Sequence, residues 1–260
     1  AAERIAETEM PELERWVLHR LWALDGALRE ACASFEFHRF FSELHNFCAV
    51  DLSAFYFDVR KDSLYCDPAV SNRRRAARTV LDLLFDHLTA WLAPFLSFTA
   101  EEAWLSRHPG REESVHLRLF PDVPAAWRDD ALAAKWETLR QLRRVVTGAL
   151  EIKRAEKTIG SSLQACPIVY AGEPFRSAVH SVDLADLFIT SDAHFGEGEA
   201  PADSFSLAEV PSVRVSVELA SGNKCERCWK VLEDVGRHPE HRGVCFRCAD
   251  AVERAVAAAE

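Results

Sequence analysis

Cys225, Cys228, Cys245 and Cys248 form two CxxC pairs, in "KCERCWK" and "GVCFRC", separated by sixteen residues. A CxxC turn carries two sulfurs to one point, and two such turns at this separation fall in the spacing range of a four-thiolate zinc site. Four thiolates close a tetrahedron without an open position, so the metal implied is structural: it would supply folding energy and no reactive water. His238 and His241 lie in the spacer, and because four ligands are already available they read as surface histidines. Lys224, Arg227, Lys230, Arg237, Arg242 and Arg247 outnumber Glu226, Glu233, Asp234 and Glu240 around this knuckle. Trp229, directly after the second cysteine, suits either base stacking or docking against the preceding domain.

The rest of the chain must position that knuckle. With 260 residues and 48% hydrophobic content, there is enough sequence for one large or two medium domains plus an appendage. Cys32, Cys48, Cys66 and Cys166 stand singly in apolar patterns and read as reduced core residues of a cytoplasmic protein. A net charge of -10 argues against a uniformly basic nucleic-acid grip, so a polyanion partner must be held by local patches. Charges interrupt every apolar run before it reaches a membrane-spanning length of about 18–20 residues, so the expectation is a soluble protein without a membrane partner. The chain opens at Ala1 with no signal-peptide pattern and no initiator, which suggests a portion of something longer.

Periodicity predicts a mainly α protein: an antiparallel helical bundle, then a small α/β module and a terminal zinc knuckle with a tail helix. Leu13, Val17, Leu21, Leu24 and Leu28 make one stripe of a first helix from Thr8 to about Cys32, widened by Trp16 and Trp22, with Pro11 in its first turn. Phe37, Phe41, Leu44, Cys48, Leu52 and Phe55 predict a second helix from Ser34, its cap, to about Val59. A third runs from near Ser71 to Leu92 before Pro94, and a short fourth opens at Thr99, Glu101 and Glu102. "SVHLRLFPDVP" reads as an extended crossing. A long helix from about Ala126 then carries Leu132, Trp136, Leu139, Leu142, Val146 and Leu150. From Leu163 the period drops to two, and "LQACPIVYAG", "DLFITS" and "VRVSVELAS" read as strands. The expected division is 1–110 bundle, 111–160 connection and long helix, 161–221 α/β module, and 222–260 knuckle. There is no internal repeat.

"ERWVLHRLWALDGAL", "FEFHRFFSELHNFCAVDLSAFYFDVRKDSLY" and "RTVLDLLFDHLTAWLAPFLSFTAEEAW" resemble the anticodon-binding helices of class I aminoacyl-tRNA synthetases for isoleucine, valine, leucine and methionine. "ALEIKRAEKTIGSSLQA", "KCERCWKVLEDVG" and "GVCFRCADAV" resemble the junction and terminal zinc module of the bacterial-type isoleucine enzymes, in order and over nearly the whole chain; Gly172 to Val210 is the least distinctive stretch. The resemblance implies the tRNA-binding C-terminal half of such a ligase, a monomer with one structural zinc, recognising the anticodon stem-loop of isoleucine tRNA. The HIGH-like and KMSKS-like signatures are missing, and "EKTIGSS" lacks the glycine-rich run of a P-loop. ATP-dependent aminoacylation is therefore expected of absent N-terminal domains, and no residue here is expected to be catalytic.

Under that resemblance the residues to examine for tRNA contact are Arg15, His19 and Arg20 on the first helix and Arg73, Arg74, Arg75 and Arg78 at the start of the third. The positive end of the helix macrodipole disfavours cations at the latter site. Lys153, Arg154 and Lys157 close the long helix, where cations are favourable in any case. Lys224, Arg227, Trp229 and Lys230 complete the set on the knuckle. Ordinary solvated charges compete with RNA contact at each of these positions. A zinc finger of this spacing also resembles that of formamidopyrimidine-type DNA glycosylases, and "MPEL" at Met10 to Leu13 echoes their start. Pro11 is internal here, however, and the surrounding elements differ, so DNA is not the expected partner. A stand-alone zinc adaptor is the third reading.

Overall fold

The computed structural model describes residues 4–110 and 113–257. The expected domain limits at residues 1, 111 and 260 lie outside that range. Two compact units divide the chain: Ala1–Val50 with Val70–Asp129, and Asp51–Ala69 with Asp130–Glu260.

The first unit is the antiparallel bundle. Helix α1 (Glu12–Ala33) buries Leu13, Trp16, Val17, Leu21, Leu24 and Leu28, the stripe expected from its period. It packs on α2 (Phe37–Asn46) and, after α3 (Asp58–Cys66) of the second unit, on α4 (Asn72–Leu92), which in turn packs on α5 (Ser97–Arg107). Each fully buried Leu or Phe contributes about 1.5–3 kcal/mol, so these stripes hold the bundle. Chain breaks fall where backbone chemistry requires them. Pro94 follows the end of α4, and Ser34 closes α1 instead of opening the next helix, its Oγ donating to the Glu30 carbonyl at 3.0 Å. The fourth helix starts at Ser97, before Thr99. "SVHLRLFPDVP" is a crossing with one 3₁₀ turn at Val115–Leu117.

The expected second helix differs in phase at its start. Phe37 and Phe41 are exposed and Phe40 is buried in their place, whereas Leu44, Leu52 and Phe55 are buried as expected. From Phe47 to Phe57 the helix winds as a π-helix before α3 continues it. Wider turns move the buried stripe around the helix, and Phe47, Leu52, Phe55, Tyr56 and Val59 face inward.

In the second unit the long helix α6 (Asp130–Ala155) begins four residues after Ala126, because Ala125–Trp127 forms a 3₁₀ turn. It buries the expected Leu132, Trp136, Leu139, Leu142, Val146 and Leu150. Its apolar face covers a four-stranded sheet of order β2-β1-β4-β3: β1 (Ala165–Ala171), β2 (His194–Phe195), β3 (Phe205–Leu207) and β4 (Val210–Leu219). β1 and β2 run parallel, and the other pairs are antiparallel. "DLFITS" is no strand. Between the short helix α7 (Phe175–Ala178) and β2 it forms α8 (Leu184–Phe188), where Asp183 Oδ1 accepts the Asp186 N–H at 3.1 Å and Ile189 closes the helix in the left-handed region at φ 57°. A stretch this short fits either element, and the aspartate cap decides it.

Gly148 lies inside α6, where an added Cβ would stand 2.6 Å from the Phe205 ring. Alanine in a helix interior normally gains about 0.5–1 kcal/mol over glycine. Here the clash reverses the sign, and Gly148→Ala is expected to cost about 1 kcal/mol, lowering the thermal midpoint by about 2–4 °C in a calorimetric scan.

Candidate metal centre and nucleic-acid interface

The knuckle is built from a two-stranded ribbon, β5 (Asn223–Lys224) with β6 (Val231–Leu232), and from α9 (Phe246–Ala257). Gly222 makes the entry possible: at φ +112° its α-carbon sits so close to Leu232 that a Cβ would lie 2.2 Å from that residue's carbonyl carbon. In the first CxxC turn the Cys225 N–H donates to the Lys230 carbonyl at 2.8 Å, and the Trp229 N–H donates to the Cys225 carbonyl at 3.0 Å. The second CxxC enters α9, whose Phe246 N–H is accepted by Asp234 Oδ2 at 2.8 Å.

Cys225, Cys228, Cys245 and Cys248 are all buried, and their sulfurs lie within 4.8 Å of one another. Cys228 and Cys245 are 3.8 Å apart, which matches the edge of about 3.8 Å expected of a tetrahedron with zinc–sulfur bonds of about 2.3 Å. The Cys245 N–H points at Cys225 Sγ at 3.4 Å, and Arg227 Nη1 at Cys248 Sγ at 3.6 Å, so donors already balance thiolate charge. The set fits a structural zinc by donor type, number and burial. Cys66 sits in the same apolar cluster but outside the four-sulfur group. Burial, then Asp62, pushes its thiol up to about 12, so it is a packing residue there. His238 and His241 stack on each other at 5.2 Å and face Glu253.

Charged residues bind the knuckle to the rest of its unit. Arg227 donates to the carbonyls of Tyr65, at 3.0 Å, and Cys66, the last ones of α3. Arg247 reaches Asp62 at 2.8 Å and Asp67 at 3.2 Å. Lys230 pairs with the largely buried Asp186 at 3.0 Å. Ser191 Oγ donates to the Leu163 carbonyl and accepts the Val231 N–H at 2.6 Å. Two of the sequence-selected cations, Arg227 and Lys230, are thus engaged in holding the module together. Arg247, which grips Asp62 through both guanidinium nitrogens, stands in the sequence only among the basic residues of the knuckle, because its partners lie 180 or more residues away.

Trp229 does not dock. It is 61% exposed at φ 65°, with the Lys224 ammonium 5.8 Å from its ring centroid. Beside it opens a cavity of about 470 Å³ lined by Tyr65, Cys66, Ile189, Arg227, Trp229 and Lys230 among others, and Tyr65 is itself exposed. On α6, Lys153 pairs with Glu156 at 2.9 Å and Arg154 pairs with Glu151, while Lys157 is exposed just past the helix in the left-handed region.

In the bundle, His19 is buried, its Nδ1 accepting the Asp129 N–H at 3.0 Å, so its role is in packing and chain closure. Arg15 and Arg20 are half-buried on the same helix. Arg73, Arg74 and Arg75 are half-buried and Arg78 exposed at the start of α4, and each is already engaged in a contact. Among the described residues no helix is long and apolar enough to cross a membrane.

The helical bundle, the long helix α6 and the four-cysteine finger follow one another in chain order. Residues 14–170 match the anticodon-binding domain of tRNA ligase, and residues 222–251 match the zinc finger found in FPG and IleRS. The chain belongs to the anticodon-binding domain family of tRNA ligases. More particularly, it is similar to the C-terminal region of isoleucine–tRNA ligases. It is 53% identical over 249 residues to that of Ruegeria pomeroyi, covering 95% of this chain and 26% of the relative. With the Agrobacterium fabrum ligase it shares 50% over 256 residues, 98% of this chain and 26% of the relative. With that of Bradyrhizobium diazoefficiens it shares 50% over 252 residues, 96% and 25%. The chain thus spans about a quarter of the length of these relatives. The helical match does not favour the glycosylase reading, which rested on the finger and the "MPEL" echo.

Proposed function

We propose that this chain is the anticodon-recognising portion of a cytoplasmic, monomeric isoleucine–tRNA ligase, with isoleucine tRNA as its partner and ATP-dependent aminoacylation performed by preceding domains. The observation that carries the reading is the coincidence, in one chain and in this order, of an anticodon-binding match across the bundle and a zinc-finger match on the knuckle. In this reading zinc, held by Cys225, Cys228, Cys245 and Cys248, supplies cross-linking of the knuckle and no chemistry on substrate. Anticodon bases splay out of a single-stranded loop and are read by stacking and side-chain hydrogen bonds, while phosphates set the register. Trp229 with Lys224 offers the stacking surface. Arg15, Arg20, Arg73, Arg74, Arg75, Arg78, Lys153, Arg154 and Lys157 are the candidates for phosphate contact. Arg227 and Lys230 act in this scheme by positioning Trp229.

The test is titration of the zinc-loaded chain with an isoleucine tRNA transcript and with an anticodon-swapped twin at two salt concentrations. We expect tighter binding of the cognate anticodon, with affinity for both falling as salt rises. Equal binding of the two transcripts would refute anticodon recognition by this chain.

A further inference from the structure

The α/β module carries a second group of metal-ligating side chains that the anticodon reading does not use. Cys166 Sγ, a carboxylate oxygen of Asp192 and an imidazole nitrogen of His194 lie within 4.8 Å of one another. The sheet itself brings them together. β1 and β2 pair in parallel with Ile168 opposite His194, so two residues back along each strand Cys166 falls beside Asp192. On the other side of β1, Cys166 pairs with Glu218 of β4. Cross-strand neighbours share a sheet face, so a thiol stands between two carboxylates with an imidazole on the diagonal. Burial, then the charges of Asp192 and Glu218, hold the Cys166 thiol above its usual value.

That face is the outer one. Ala165 and Val169 of β1 are buried against the opposite side; on this face Cys166 is itself buried, whereas the side chains of Asp192 and His194 are 56% and 59% exposed and Glu218 is exposed. The donors are also held in place before any ligand arrives. Asp192 Oδ1 accepts the Ala193 N–H at 2.8 Å, which leaves Oδ2 directed at His194 Nε2 at 3.0 Å. Thr190 Oγ1 donates to the Asp192 carbonyl at 2.9 Å, and the Gly196 N–H continues the strand pairing to the Val169 carbonyl at 2.8 Å. The preceding Ser191 is buried and tied on both sides by its hydroxyl.

We propose that Cys166, Asp192 and His194 form a second metal site for a single divalent cation of the zinc and cobalt class, with Glu218 or water completing the sphere. A thiolate, an imidazole and a carboxylate suit such borderline ions, and neither calcium nor magnesium would choose this set. On binding, the metal–sulfur bond replaces the S–H bond of Cys166 and the thiol proton leaves to solvent. Unlike the closed cysteine cage, this site keeps an exposed side.

The probe is zinc, then cobalt, added to the intact chain with its structural ion in place. After equilibration with excess zinc and removal of free metal, the chain is expected to hold two ions, and Cys166→Ser or His194→Ala is expected to hold one. Cobalt bound at the second site should show a thiolate charge-transfer band that Cys166→Ser abolishes. His194 is exposed, so His194→Ala keeps the test informative even if the serine variant folds poorly. One ion in the parent chain, or a second ion that survives both substitutions, would overturn the proposal.

Discussion

Cys245→Ser is expected to release the structural zinc and unfold the knuckle while leaving the bundle and α6 intact. The knuckle has little else to hold it. Its strands are two residues each, and the cluster around the cysteines includes few other apolar side chains, chiefly Val235, Leu232 and Val244. A segment of this size lies below the roughly 40 residues at which a core can fold without cross-links. Structural zinc in finger-sized domains contributes about 10–16 kcal/mol of apparent binding energy, which here is folding energy. Losing one thiolate also leaves the other three crowded without a cation between them. The measurement is zinc content together with amide hydrogen exchange: metal should fall from one ion at this site to none, and protection should vanish across the knuckle only. Persistent protection in a metal-free variant would mean that Arg227 and Arg247, clamped on α3, hold the fold in place of zinc.

The features readable in the sequence are those fixed by local spacing. The stripes of α1 and α6 repeat at the helical period, and the expected residues are buried except Trp22, which is half-buried. The CxxC spacing likewise dictates where four sulfurs can meet. In the second helix the expected Leu44, Leu52 and Phe55 are buried but Phe37 and Phe41 are not, and the π-helical run at Phe47–Phe57 adds Phe47, Tyr56 and Val59, which a single helical period does not predict. Nor could spacing tell that "DLFITS" is capped by Asp183 into a helix. The roles of cations escape the sequence for a different reason. Lys230, Arg227 and Arg247 find partners 44, 162 and 185 residues away, so charge near the knuckle looks like RNA contact until the fold supplies Asp186, Tyr65 and Asp62. Cys166 is the free, buried residue its apolar strand implies, and only strand register shows that Asp192 and Glu218 lie beside it.

Trp229→Ala separates recognition from scaffolding more cleanly than any of the cations. The indole is mostly exposed and contributes little to the core, and the backbone bond that fixes the turn, from its N–H to the Cys225 carbonyl, is unchanged by the substitution. Zinc content and thermal stability should therefore stay near those of the parent. If Trp229 stacks on an anticodon base, its loss removes about 1–3 kcal/mol, or about 5- to 150-fold in affinity. Trp229→Phe should restore part of that, since a smaller ring still offers a π-face. The salt dependence should keep its slope, because no phosphate contact has been removed. Lys230→Ala would be ambiguous, since it breaks the pair with Asp186 and any loss of affinity could follow from a displaced knuckle. An alanine variant of Trp229 that binds as tightly as the parent would move base recognition away from the knuckle and onto the bundle. In that case substitution of the arginines from Arg73 to Arg78 should change both affinity and salt slope.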